Sequence, residues 1–149
     1  LPEAARQWYE RAAAAGHAGA AYNLATLLRA GVDVSPDPER AQALYVSAAE
    51  AGHARAALVL GMLFEQGGPW PSDPARARYW YERAAELGAA DALVNLAAIE
   101  AARPAAARDL DEVERLLEAA ARRGHPLARP GLEALAALRA DEVSPAPDS

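Results

Sequence analysis

The sequence predicts an all-α fold, a right-handed α–α superhelix of stacked helical hairpins, and three observations predict it. Four glycines, Gly16, Gly52, Gly88 and Gly124, stand 36 residues apart, and the hexapeptide Trp-Tyr-Glu-Arg-Ala-Ala at 8–13 returns at 80–85, two such periods on. Alanine, the strongest helix former, makes up roughly a quarter of the chain, far above ordinary usage. Valine, isoleucine and threonine are scarce, which argues against strands. A fixed period of this length is the mark of a repeat array, because one helical hairpin cannot bury its own apolar stripe and needs stacked neighbours to do so.

Each element follows from residues placed at fixed offsets from those glycines. Before Gly16 the row Ala5, Trp8, Tyr9, Ala12 and Ala13 has the three-, four- and seven-residue spacing of one helix face and predicts a helix over 3–15, with Trp8 and Tyr9 in the repeat core as Trp80 and Tyr81 are two periods on. After it Ala20, Leu24 and Leu27 predict a second helix over 18–30. Asp37-Pro38 then reads as a helix start, aspartate capping and proline at the first helical position, and with Ala41, Leu44, Tyr45, Ala48 and Ala49 predicts a helix over 38–51. Ala56, Leu60 and Leu63 give a helix over 54–66. Asp73-Pro74 opens the next, over 74–87, with Ala77, Trp80, Tyr81, Ala84 and Ala85 on its buried face. Ala92, Leu96 and Ile99 give a helix over 90–102, and Asp109 opens one over 110–123 carrying Val113, Leu116, Leu117, Ala120 and Ala121. The repeating glycines fit the position just past a helix end, where a left-handed conformation is needed.

The last stretch departs from this regularity. Pro126 and Pro130 interrupt it, so the final helix is expected as a shorter cap from about 130 to 140. Residues 141–149 are polar and proline-bearing and are expected to form a disordered tail. Residues 1–140 are therefore expected to form one solenoid domain. It begins in the second helix of a repeat and continues with repeats from about 18, 54 and 90.

Composition narrows the function classes. The chain has 149 residues and a formal net charge of −6, and all 15 basic residues are arginine. Such an acidic chain lacks the electrostatic footprint that binding a phosphate backbone requires, so nucleic acid is not an expected partner. The excess of alanine, arginine, glycine and proline, without lysine, fits a GC-rich bacterial genome. No apolar run approaches the length of a membrane span. There is no cysteine, hence no thiolate chemistry and no redox compartment to read. The bacterial cytoplasm and the periplasm both remain open.

The segments Ala20–Gly31 (AAYNLATLLRAG), Ala56–Gly67 (AALVLGMLFEQG) and Ala90–Ala102 (ADALVNLAAIEAA) alternate with Glu39–Gly52 and Ala75–Gly88. In this pattern, over about residues 3–125, the chain resembles the Sel1-like repeat, a relative of the tetratricopeptide repeat. Two departures stand out. Twelve residues after the glycine, where the family usually has tyrosine, the chain has Leu28, Phe64, Glu100 and Ala136. The loop glycine, present as Gly31 and Gly67, is replaced by Arg103.

Chemistry is hard to find. Without lysine there is no phosphate-loop lysine, no Schiff base and no Ser-x-x-Lys nucleophile, and no Gly-x-Ser-x-Gly occurs. No enzyme activity, cofactor or metal is expected. His17, His53 and His125 all follow the repeat glycine. Successive helix pairs stack about 10 Å apart, while zinc ligands converge within about 2 Å of one ion, so the three read as turn residues near helix ends. Trp70, in the loop place taken by Val34 one repeat earlier, reads as a plug between hairpins rather than an exposed anchor.

The resemblance implies a protein-interaction module or adaptor that holds a peptide or protein surface in a concave groove. In tetratricopeptide-like relatives the helix after the glycine lines that groove, which implies an inner face at 3, 6, 7, 10 and 13 residues after each glycine. The residues implicated are Tyr22, Asn23, Thr26 and Arg29, then Arg55, Leu58, Met62 and Glu65, then Asp91 and Asn95. Val59 and Val94 share the face, and the apolar anchor of a ligand is expected near Leu58 and Met62. Asn23 and Asn95 suit either of two roles, bonding neighbouring backbone or bonding the backbone of a bound peptide. A second reading is a dedicated inhibitor or immunity partner of one secreted effector, with the acidic chain covering a basic protein. A hydrolase of the cell wall or of antibiotics is the reading from another class, and the missing cysteines and lysines weigh against it.

Overall fold

The structure is a computed structural model, described over residues 3–31 and 34–143. Eight helices and no strand occur among the described residues: α1 (Glu3–Ala14), α2 (Ala18–Ala30), α3 (Pro38–Glu50), α4 (Ala54–Gln66), α5 (Pro74–Glu86), α6 (Ala90–Ala101), α7 (Leu110–Arg122) and α8 (Ala128–Val143). The chain divides into two compact units, residues 1–89 and 90–149. In the first, α1 packs on α2, α2 on α3, α3 on α4 and α4 on α5; in the second, α6 packs on α7 and α7 on α8.

The four short turns are built alike. Gly16, Gly52, Gly88 and Gly124 have φ of 87°, 91°, 100° and 74°, where a side chain would be strained. In each turn the glycine N–H bonds to the carbonyl of Ala13, Ala49, Ala85 or Ala121. The N–H of the following residue bonds to Ala12, Ala48, Ala84 or Ala120. This is the Schellman arrangement. The paired alanines before each glycine therefore have two jobs, supplying the two carbonyls that close the turn and allowing close helix approach. Ala48, Ala84 and Ala120 are each fully buried.

The longer connections are fixed by the three aspartates. Asp37 and Asp73 cap α3 and α5 by accepting from the N–H of Arg40 and Arg76 at 3.0 Å, and Asp109 caps α7 by accepting from Asp111 and Glu112. Each aspartate also spends its own N–H. Asp37 and Asp73 donate to the backbone carbonyls of Leu28 and Phe64, at 3.1 and 2.8 Å. Asp109 donates at 2.8 Å to a side chain, the Oε1 of Glu100.

Three expectations need correction. The final helix starts at Ala128 and runs to Val143, so at 16 residues it is the longest rather than a short cap. Pro130 is its third residue and lies in the first turn, where a missing N–H breaks no intrahelical bond. Residues 141–143, expected in the tail, extend that helix; the rest of the tail, 144–149, lies outside the described residues. Trp8, expected in the core like its counterpart Trp80, is 63% exposed, and α1 buries none of its residues, whereas Trp80 is 8% exposed.

Candidate functional site

The site is built from the helices that follow the repeat glycines, and the two units treat the same positions differently. In the first unit the buried tyrosines of α3 and α5 reach back onto them. Tyr45, 1% exposed, lies with its hydroxyl 3.0 Å from the Oγ1 of Thr26 and accepts from the Nε of Arg29 at 3.3 Å. Thr26 gives its own hydrogen to the carbonyl of Tyr22 at 3.0 Å, so the Tyr45 hydroxyl donates to Thr26. One repeat on, the fully buried Tyr81 donates its hydroxyl to Glu65 at 2.5 Å. Its ring lies so close to α4 that a Cβ on Gly61 would stand 2.5 Å from it.

The ten residues singled out in the sequence therefore fall into groups. Thr26, Arg29 and Glu65 are engaged with tyrosine hydroxyls. Tyr22 is half-buried and stacks on His53 with ring centroids 4.7 Å apart. Asn23, Arg55 and Met62 are exposed and Leu58 and Asn95 half-buried. Asp91 bonds to His125 at 2.7 Å. Those of α2 and α4 belong to the first unit, and Asp91 and Asn95 to the second.

The histidines do more than occupy turns. His17 and His53 are the N-cap residues of α2 and α4, and the Nδ1 of His53 accepts from the N–H of Ala56 at 3.2 Å. The Nδ1 of His125 accepts from Leu127 N–H at 3.2 Å, which leaves Nε2 to carry the hydrogen it donates to Asp91. Among the described residues no group of three or more histidine, aspartate or glutamate side chains could hold a metal ion. Trp70 is 8% exposed, with its ring 5.7 Å from that of Phe64.

In the second unit the place of Tyr45 and Tyr81 is taken by Leu117, and a leucine cannot fill the space of a phenol. Ala98 and Ala101 stand where Thr26 and Arg29, or Met62 and Glu65, stand in the first unit. The result is an apolar groove of about 250 Å³ between α6 and α8, floored by α7. Val94, Ala98 and Ala101 form one wall, Leu127, Gly131, Ala134 and Leu138 the other, and Val113 and Leu117 the floor. A Cβ on Gly131 would meet the Cδ2 of Leu117 at 2.8 Å, so glycine is what lets α8 come down onto the floor. Leu127, at the mouth, is 58% exposed. The sequence reading placed the apolar centre at Leu58 and Met62 and did not single out the α8 residues. The available signal was the joint change from tyrosine and polar residues to leucine and alanine at matching repeat positions.

Comparison with known proteins agrees with this architecture. A protein-family model, the Sel1 repeat, matches residues 2–17, 18–53 and 54–88, more than half of the chain. A Sel1 repeat protein of Oxalobacter formigenes has a solved structure that is 29% identical, with a TM-score of 0.72 over 83% of this chain and 49% of that one. A protective antigen of uropathogenic Escherichia coli strains, displaying an SLR fold, is 27% identical, with a TM-score of 0.73 over 87% of this chain and 28% of that one. The chain thus spans about half the length of the first and just over a quarter of the second. No curated protein matches.

Proposed function

Because the chain belongs to the Sel1 repeat proteins, a family of helical repeat scaffolds that generally mediate protein interactions, we propose that it is a non-enzymatic binding module. It holds a peptide or protein surface on the helices that follow the repeat glycines. The observation that carries this reading is the groove between α6 and α8, apolar, open and lined by the repeat positions that face inward in related helical repeats. In the first unit Asn23, Arg55, Leu58 and Met62 offer a second, polar-edged contact surface. No helix among the described residues is long and apolar enough to cross a membrane.

The test is capture of partners by the purified full chain, followed by mass spectrometry and direct binding of the captured protein. Ala98→Phe fills the groove from an exposed position, and Tyr22→Ala, Arg55→Ala and Met62→Ala alter the first-unit face. Loss of binding in either set, with helicity retained, supports the reading. Binding unaffected by all four and abolished by changes on the outer face of α3 or α5 would end it. Capture of one basic secreted protein would turn the reading towards a dedicated inhibitor.

A further inference from the structure

The two walls of the groove end in the same way. On α6 the row Val94, Ala98, Ala101 is preceded at the same spacing by Asp91; opposite it the row of Leu127, just before α8, and Gly131, Ala134 and Leu138 on α8 is continued by Asp141. The bond between Asp91 and His125 places the start of α6 beside the start of α8. The two aspartates therefore stand at opposite ends of the groove. Both are exposed.

Among the described residues no arginine pairs with either charge. Asp91 is 68% exposed at its side chain and receives only the Nε2 hydrogen of His125, and Asp141 takes part in no ion pair among the described residues. The arginines close by are committed elsewhere. Arg139 is bound to Asp111 and Glu114 at 2.6 and 2.9 Å, Arg108 to Glu142, and Arg103 to Glu100. The groove is thus an apolar trough with an exposed carboxylate at each end.

On this ground, and resting on the binding-module reading above, we propose that the groove takes an amphipathic helix of a partner protein, with one aliphatic stripe and a lysine or arginine beyond each end. The eleven steps from Leu127 to Leu138 measure about 16 Å along a helix axis, at about 1.5 Å per residue, so the stripe is about three turns long. Small residues on both walls, Ala98, Ala101, Gly131 and Ala134, let a third helix approach to ordinary packing distance. The volume of 250 Å³ exceeds the roughly 150 Å³ that holds a benzene ring in an apolar cavity, so one or two branched side chains of the stripe enter it.

The experiment uses fluorescein-labelled synthetic helices and the full chain, read by fluorescence anisotropy. One helix has a leucine stripe on an alanine backbone with two lysines at each end; a second has glutamates in place of the lysines; a third has glutamines in place of the leucines. The lysine helix is expected to bind at least about tenfold more tightly than either of the others, the glutamine helix losing its anchors and the glutamate helix meeting like charges. Ala98→Phe and Leu127→Ser should each weaken the lysine helix about tenfold or more, and Leu127→Ser, at an exposed position, leaves the fold intact. Asp91→Asn with Asp141→Asn should cost about fivefold or more and flatten the salt dependence. Equal binding of lysine and glutamate helices overturns the basic partner while leaving the groove as a site. Binding insensitive to Ala98→Phe and Leu127→Ser overturns the groove as well, and binding by none of the helices overturns the helical partner.

Discussion

In the first unit a tyrosine from each following helix crosses to the glycine-following helix before it and ends on a polar side chain; in the second a leucine stops short and leaves a trough. Tyr45 and Tyr81 fill the space that Leu117 leaves open, and Thr26, Arg29 and Glu65 satisfy their hydroxyls where Ala98 and Ala101 have nothing to offer. The family model matches up to residue 88, close to the end of the first unit. The region with the regular pattern closes its inner seam with phenols, and the region that departs from it opens one. Departure from a repeat pattern here produces a surface with its own chemistry.

The same contrast governs the loops. Gly31 (φ 68°) and Gly67 (φ 73°) end α2 and α4, and the aspartate N–H of each loop finds a backbone carbonyl. In the second unit Glu100, 2% exposed, takes the aspartate N–H on its carboxylate and pairs with Arg103, which stands in place of the loop glycine, at 2.9 Å. The two departures answer each other. A buried carboxylate is costly alone and tolerable when paired and bonded.

The largest expected effect comes from breaking that pair. Glu100→Ala leaves the Asp109 N–H and the Arg103 guanidinium without their acceptor and should destabilise the second unit by about 2–4 kcal/mol in urea unfolding. Glu100→Phe combined with Arg103→Gly, which imports the first unit's solution, should recover more than half of the loss. If the double variant is no better than the single one, the two positions are not a compensating pair.

Next come the close approaches. Gly61→Ala sets a methyl against the ring of Tyr81, which has no freedom to yield, and Ala84→Leu overpacks a fully buried contact; each should cost about 1–3 kcal/mol. Gly131→Ala meets only the end of a leucine beside an open groove and should cost less, about 1 kcal/mol or below. Equal losses at Gly61 and Gly131 would mean that the second unit is packed as tightly as the first.

Smallest is the loss of a hydroxyl. Tyr45→Phe and Tyr81→Phe keep the ring and delete the bonds to Thr26, Arg29 and Glu65, at about 0.5–1.5 kcal/mol each by thermal or urea unfolding. Because Arg29 and Glu65 are exposed, water replaces the lost partner. Leu117→Tyr is the converse change: it should shrink the groove and weaken whatever binds there.

Much of this was legible in the sequence. The glycines fixed the turns, the aspartates fixed three helix starts, and the helices α1 to α7 fall within one residue of the ranges read from spacing. What escaped depends on contacts between positions distant in sequence. Trp8 repeats Trp80 letter for letter yet is exposed, because burial is set by neighbours and not by the hexapeptide. Pro130 looked like a barrier because its tolerance depends on which turn of the helix it occupies. Glu100 and Arg103 looked like decay of the pattern, although their opposite charges at a three-residue spacing hinted at a bond. The groove needed three helices at once, and only the shared loss of tyrosine and polar residues at matching positions pointed to it.

The most direct test of the account is a ¹H–¹⁵N titration of the full chain with the lysine-ended leucine helix. The predicted result is amide shifts concentrated at Val94, Ala98, Ala101, Leu127, Gly131, Ala134 and Leu138, with those of α4 around Leu58 and Met62 little changed. Shifts centred on α4, with α6 and α8 unmoved, would contradict it.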